Sequence, residues 1–333
     1  MRTSLPRRSL PIFAFALAGL AAVPHSQAQD WADGLKIEGR VAFTEGPAWQ
    51  AATGNVFFSD VENNRIMRLD PTGKVHIYRT PSGRANGLAF DSQGRLHACE
   101  GGNEGGNRRV TRTEADGSIT ILTDQYQGKK YNSPNDLVID RKGRVFFTDP
   151  RYGDQAGMEI FDDYRNPIEG VYRIDPDGSV TQIISHEVQR PNGIAVSADG
   201  RFLFVADNLN SGPNDGVGGN RKLWRFDLKE DGSIDPASRK LLFDWGTERG
   251  PDGLAIGPDG NVYAAAGFNF PNPPAETADK YRAGIYVISP DSGKLVAFHA
   301  VPEDMVTNCT FGGADGRTLY LTAGHKLWSL PIK

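Results

Sequence analysis

Apolar and polar positions along this chain recur in one order: a short apolar run, a polar x-x-Gly turn, then a second apolar or aromatic run. The six copies read EGPAWQAATGNVFFSD, ANGLAFDSQGRLHACE, PNDLVIDRKGRVFFTD, PNGIAVSADGRFLFVAD, PDGLAIGPDGNVYAAA and TNCTFGGADGRTLYLTA. Each copy predicts a β-hairpin, because glycine supplies the left-handed backbone that a tight turn needs. Further hairpin patterns lie between the copies, among them NRIMRLDPTGKVHIYRT, GVYRIDPDGSVTQII, KLWRFDLKEDGSI and GIYVISPDSGKLVAF. Two hairpins make a four-stranded unit. The turn glycines Gly54, Gly94, Gly143, Gly200, Gly260 and Gly316 follow one another at 40, 49, 57, 60 and 56 residues. Periods of that size with four strands each predict propeller blades. The expected fold is therefore all-β, a six-bladed β-propeller with four-stranded blades.

Each copy also opens on an oxygen-bearing residue eight or nine positions before its turn glycine: Glu45, Asn86, Asn135, Asn192, Asp252 and Asn308. At the start of an innermost strand these six side chains would reach the central tunnel at one height. Carboxylate and carboxamide oxygens, with no histidine or cysteine among them, favour a hard cation. Calcium tolerates such mixed, uneven ligation, whereas magnesium demands stricter octahedral placement. Calcium is the expected ion, with Mg2+, Mn2+ or Zn2+ as alternatives. Asn and Asp before Gly are also ordinary turn formers. That second reading applies most to Asn86 and Asn308, which are otherwise candidates for substrate contact. It applies least to Glu45, which has no such preference, and to Asn135, which Asp136 follows. The segments 101–109, 150–170, 208–220 and 268–284 leave the second strands and are expected around the same mouth, where loops on a rigid scaffold carry function. They bring Glu100, Arg109, Arg151 and Tyr152 forward as further candidates for gripping a substrate.

The first residues follow another pattern. Arg2, Arg7 and Arg8 precede the apolar LPIFAFALAGLAAV, and Ser26-Gln27-Ala28 ends the segment on small residues. Residues 1–28 read as a secretory signal peptide, an uncleaved anchor being the other reading, and 29–333 as a single propeller domain, periplasmic or secreted. No second long apolar run follows, so no membrane association is expected after cleavage. A net charge of −4 leaves no basic field for nucleic acid. Cys99 and Cys309 fall in non-adjacent copies and are expected as two separate buried thiols.

The stretches EGPAW at 45–49, NSPNDLVIDRKGRVFFTDPRYG at 132–153, RPNGIAVS at 190–197 and GPDGLAIG at 250–257 carry a family resemblance. The chain resembles the gluconolactonase family, also called the senescence marker protein 30 or regucalcin family, over nearly all of its length after residue 28. The resemblance implies a six-bladed propeller with a divalent ion at the tunnel mouth, held by Glu45, Asn192 and Asp252. Asn135 would complete that set or contact substrate, and Asp252 would be the acid/base. Animal members carry an arginine two positions before the Asn135 counterpart; Ser133 stands there, and the wording is closer to bacterial gluconolactonases.

The expected activity is metal-dependent opening of a sugar lactone. The ion would polarise the carbonyl while Asp252 serves as general base and then acid, or alternatively as a nucleophile. The small-molecule lactone would be held by Asn86, Asn135, Asn308 and Glu100. Two other readings remain: phosphotriester hydrolysis on the same cation, and a non-catalytic, calcium-stabilised propeller that binds a glycan or protein.

Overall fold

The computed structural model describes residues 31–152, 157–212, 216 and 218–333. The expected signal segment 1–28 lies outside the described residues. The described strands form six four-stranded antiparallel sheets and one two-stranded ribbon, Gln125–Tyr126 with Lys129–Lys130. The innermost strands are Thr44–Gln50, Ala85–Phe90, Leu137–Ile139, Pro191–Val196, Leu254–Ile256 and Val306–Gly312. Each touches the innermost strand on either side, so the sheets close into a ring of six blades.

Five blades are continuous in sequence. The sixth is not: Val306–Gly312, Thr318–Ala323 and Lys326–Pro331 supply three strands, and Lys36–Arg40 from the N-terminal side adds the outermost one. The two ends of the domain thus share one sheet, which fastens the ring.

The second strand of each blade explains the apolar runs. Side chains alternate between the two faces of a strand, and here both faces are buried between neighbouring blades. Phe146 packs toward the following blade beside Leu203 and Val205, while Phe147 packs toward the preceding one beside Val110 and Cys99. Six apolar clusters result, one at each blade interface. Cys99 and Cys309 are free and buried in two different clusters, as expected. The six turn glycines all adopt φ between +69° and +78°. Among the described residues the one helical turn is a 3-10 turn at Pro236–Ser238, and no helix is long and apolar enough to cross a membrane.

Candidate active site at the tunnel mouth

The lead residues owe their orientation to irregular innermost strands. Pairing to the second strand slips between Glu45 and Ala48, Ala85 and Leu88, Pro191 and Ile194, and Val306 and Asn308. A bulge of this kind re-aims a side chain that regular pleating would place elsewhere. The glycine that follows a lead residue has a specific reason. The N–H of Gly193 donates to the carbonyl of Asp252 at 2.9 Å, that of Gly87 to Asn135 at 2.7 Å, and that of Gly253 to Thr307 at 2.6 Å. A Cβ on Gly193 would sit 2.2 Å from the Asp252 carbonyl oxygen. The Asn-Gly and Asp-Gly pairs are therefore not turns; they are places where the next blade's backbone crosses.

A second set of carboxylates fixes the approach to this ring. Asp60 and Asp149 end their second strands, Asp207 stands two residues before the end of its own, and all three are fully buried. Asp60 accepts the backbone N–H groups of Ala42 and Phe43, Asp149 those of Asn132 and Ser133, and Asp207 those of Gln189 and Arg190. In each case these amides lie two and three residues before the lead residue. The carboxylates act as clamps that set where Glu45, Asn135 and Asn192 begin.

Glu45, Asn86, Asn135, Asn192 and Asp252 line one cavity of about 310 Å³. The sequence also brings Ser133, Tyr152, Asn208 and Arg249 to its walls. Tyr152 Oη donates to Asn208 Oδ1 at 2.9 Å and accepts from Asn192 Nδ2 at 3.3 Å, while Asn208 Nδ2 donates to the Pro251 carbonyl. The Asn192 amide also hydrogen-bonds Asp252. With its N–H groups so used, the Asn192 carbonyl oxygen is left for another partner. Arg249 donates through Nη2 to Asp252 and lies over the Phe268 ring at 5.3 Å.

Two carboxyls, Glu45 and Asp252, line this cavity, and a third, Asp136, lies near enough to act on Glu45. Glu45 is buried and, among the described residues, accepts one hydrogen bond, from the N–H of Gly46 at 3.1 Å. Burial, and then the charges of Asp252 and Asp136, raise its pKa well above the ordinary value. Burial pushes Asp252 up to about 6, against the opposing pull of Arg249 and Asn192, with Glu276 adding to the rise. Asp136 is likewise pushed up to about 7, mainly by burial. Buried charge demands a counter-charge or a ligand. Among the described residues no three or more His, Cys, Asp or Glu side chains gather into a metal-holding group. The donor set that fits a hard cation is instead Glu45 and Asp252 with the carboxamides of Asn135 and Asn192.

Other sequence candidates lie elsewhere. Asn308 does not line this cavity. Its amide donates to Asp136 at 3.2 Å, and it faces the opposite chamber of the tunnel together with Trp49, Phe90 and Phe311. Glu100 is buried in the wall of the second blade, paired with Arg79 and Arg109. Arg109 is thereby engaged as well, and the Arg151 N–H donates to Glu169. Ser133 accepts from the N–H of Gly102 and so ties a mouth loop to the ring. Arg249 was not anticipated, although it stands three residues before Asp252 in RGPDG.

An oxygen-rich, acid-bearing cavity at the mouth of a closed six-bladed propeller defines the class. The family model described as SMP-30/Gluconolactonase/LRE-like region matches residues 43–325, and the chain belongs to that family. It is 30% identical over 312 residues to a gluconolactonase of Zymomonas mobilis, covering 87% of this chain and 79% of the relative. It is 26% identical over 283 residues to the pentonolactonase XacC of Haloferax volcanii, covering 84% and 80%. Among solved structures, a gluconolactonase from Xanthomonas campestris superposes with a TM-score of 0.71 at 28% identity, covering 90% of this chain and 89% of that one.

Proposed function

We propose that the chain hydrolyses a sugar lactone at the tunnel mouth, with a divalent cation, calcium in the first place, held by Glu45, Asn135, Asn192 and Asp252. The carrying observation is Glu45: a buried carboxylate whose sole hydrogen-bond donor among the described residues is its own neighbour's amide, facing a second buried carboxylate. The names of the relatives, gluconolactonase and pentonolactonase, support the substrate class. Export with removal of residues 1–28, to a periplasmic or secreted location, is part of the proposal and rests on the basic, apolar, small order of that segment.

A cation bound there supplies Lewis acidity to the lactone carbonyl. Asp252 takes a proton from the attacking water and returns it to the ring oxygen as the acyl–oxygen bond breaks, an exchange worth ~10²–10⁴ in rate. Arg249, bonded to the Asp252 carboxylate, favours its ionised form before the reaction. Tyr152 and Asn208 hold the Asn192 amide so that its oxygen faces the cavity. Asn86 and Asn135 have no side-chain partner among the described residues, which leaves Asn135 for the cation and Asn86 for substrate hydroxyls.

The test is pH-indicator hydrolysis of a panel of aldonolactones, run with calcium, with chelator, and with Asp252→Asn. Turnover that requires both the metal and Asp252 is expected. Turnover that survives Asp252→Asn would remove Asp252 from the mechanism.

A further inference from the structure

A second cavity of about 440 Å³ adjoins the mouth and shares Tyr152, Asn208, Arg249 and Met305 with it. Its far wall is the turn 272–276, carrying Pro273, Pro274 and Glu276, and Phe268 lies beside it. That wall is held firmly. Asn272 and Glu276 exchange both backbone hydrogen bonds at 3.0 Å, Thr277 N–H donates to the Thr247 carbonyl, and buried Arg221 donates to the Ala275 carbonyl at 2.7 Å. A site on so braced a turn is preorganised, which spares a ligand the cost of ordering it.

Among the described residues that line this cavity, two side chains, Glu276 and Arg249, carry a buried polar atom with no hydrogen-bond partner. Glu276 is 4% exposed; its Oε2 accepts from Asn272 Nδ2 at 2.8 Å, while Oε1 has no hydrogen bond among the described residues. The Nε of Arg249 is also buried without a partner. A buried carboxylate oxygen left open in a native fold calls for an O–H or N–H donor from outside. The surroundings decide which kind. Glu276 opposes an anionic ligand, and Arg249 and Arg190 on the same walls oppose a cationic one. Phe268, Pro273, Pro274 and Met305 offer apolar surface for C–H faces. A neutral ring with hydroxyls at its edge and C–H groups on its faces satisfies all of these conditions.

From this geometry we infer a sugar subsite that accepts the second ring of a disaccharide lactone, with Glu276 receiving one of its hydroxyls. The inference rests on the lactonase reading for the adjoining mouth. There the lactone ring sits beside Asp252, and the glycosidic extension passes Arg249 toward Glu276. Glu276 is thus a specificity-determining residue for extended lactones.

Two measurements test it. The first compares kcat/KM for maltobiono- and cellobiono-1,5-lactone with glucono-1,5-lactone in wild type, Glu276→Gln and Glu276→Leu. The disaccharide-to-monosaccharide ratio is expected to fall several-fold in the Gln variant and at least about tenfold in the Leu variant. A ratio unchanged in both, with the two substrates losing rate together, would mean that Glu276 acts only on Asp252, and the subsite would be withdrawn. The second measurement uses wild-type protein alone and needs no turnover: calorimetric binding of maltitol and cellobiitol against sorbitol. Tighter binding of the disaccharide alditols is expected, and equal or absent binding of all three overturns the subsite. If no lactone is turned over yet the disaccharide alditols bind, the lactonase reading fails and the sugar subsite stands.

Discussion

Glu45 and Glu100 are the same residue type, both buried, one at the tunnel mouth and one in the wall of the second blade. Glu100 accepts hydrogen bonds from Arg79, Arg109, Asn107 and Thr111. These partners outweigh its burial and hold its pKa below the ordinary value. Glu45 accepts one amide hydrogen bond, and its pKa is raised. The wall thus satisfies its carboxylate completely, and the mouth leaves its carboxylate waiting. A fold able to surround Glu100 with four donors is not short of donors; their scarcity around Glu45 marks the place where something else binds. The clamps Asp60, Asp149 and Asp207 belong with Glu100: acidic, recurrent and structural.

The comparison is broken or sharpened first by catalysis. Asp252→Asn should lower lactone turnover ~10²–10⁴-fold while leaving the far-UV spectrum and melting cooperativity intact. A variant that unfolds would instead place Asp252 among the structural carboxylates. Next comes stability in the wall. Glu100→Ala leaves Arg79 and Arg109 without their counter-charge, and the Nε and Nη1 of Arg79 already have no partner. Breaking such a buried pair costs on the order of 3 kcal/mol, to be read from urea midpoints. Glu45→Gln in the same assay should cost nothing and gain up to about 1 kcal/mol, since it removes an unpaired buried carboxyl. Equal losses in the two variants would erase the distinction between wall and mouth.

Calcium gives the third and smaller effect. Ligand at a hundred times its Kd stabilises the folded state by about 2.7 kcal/mol. Wild type and Glu100→Gln should both show that rise in melting temperature. Glu45→Gln should lose most of it, and chelator should abolish it. A rise that persists in Glu45→Gln would move the ion away from the mouth.

Much of this was legible in the sequence because the repeat carries two separate physical demands. The turn glycines need left-handed backbone, and the apolar runs need two buried faces, so Gly54 through Gly316 located every inner hairpin. The lead oxygens were visible because they recur at one offset. Side-chain direction was not visible. Asn308 occupies the same slot as Asn192, yet its amide turns to Asp136 on the far side of the tunnel. Glu100 ends a strand that feeds a mouth loop, yet it points into the blade. The glycines after the lead residues look like turn formers until the neighbouring backbone is in place. Arg249 belongs to no periodic pattern, and Lys36–Arg40 is too polar and short to announce itself as the strand that closes the ring.

The smallest effect returns to the wall. His97 lies three residues before Glu100 on the same strand and is 3% exposed. Burial is the main cause that pushes its pKa down to about 4, with Arg112 and Arg95 adding to the fall against the opposing pull of Asp91. A histidine held neutral in the fold but free to charge when unfolded makes the unfolded state the better proton binder between those two pKa values. The contribution of His97 to stability is therefore complete above the unfolded value of about 6.5 and is lost as pH falls toward 4. Between pH 6.5 and 5 the loss is on the order of 2 kcal/mol. His97→Gln, which cannot charge, should flatten that part of the curve when urea midpoints are compared at pH 7 and pH 5. The Glu45→Gln variant should keep the decline and steepen it, because it removes a raised carboxyl whose protonation favours the folded state in acid. If both slopes flatten together, the acid sensitivity arises at the mouth and the wall histidine plays no part in it.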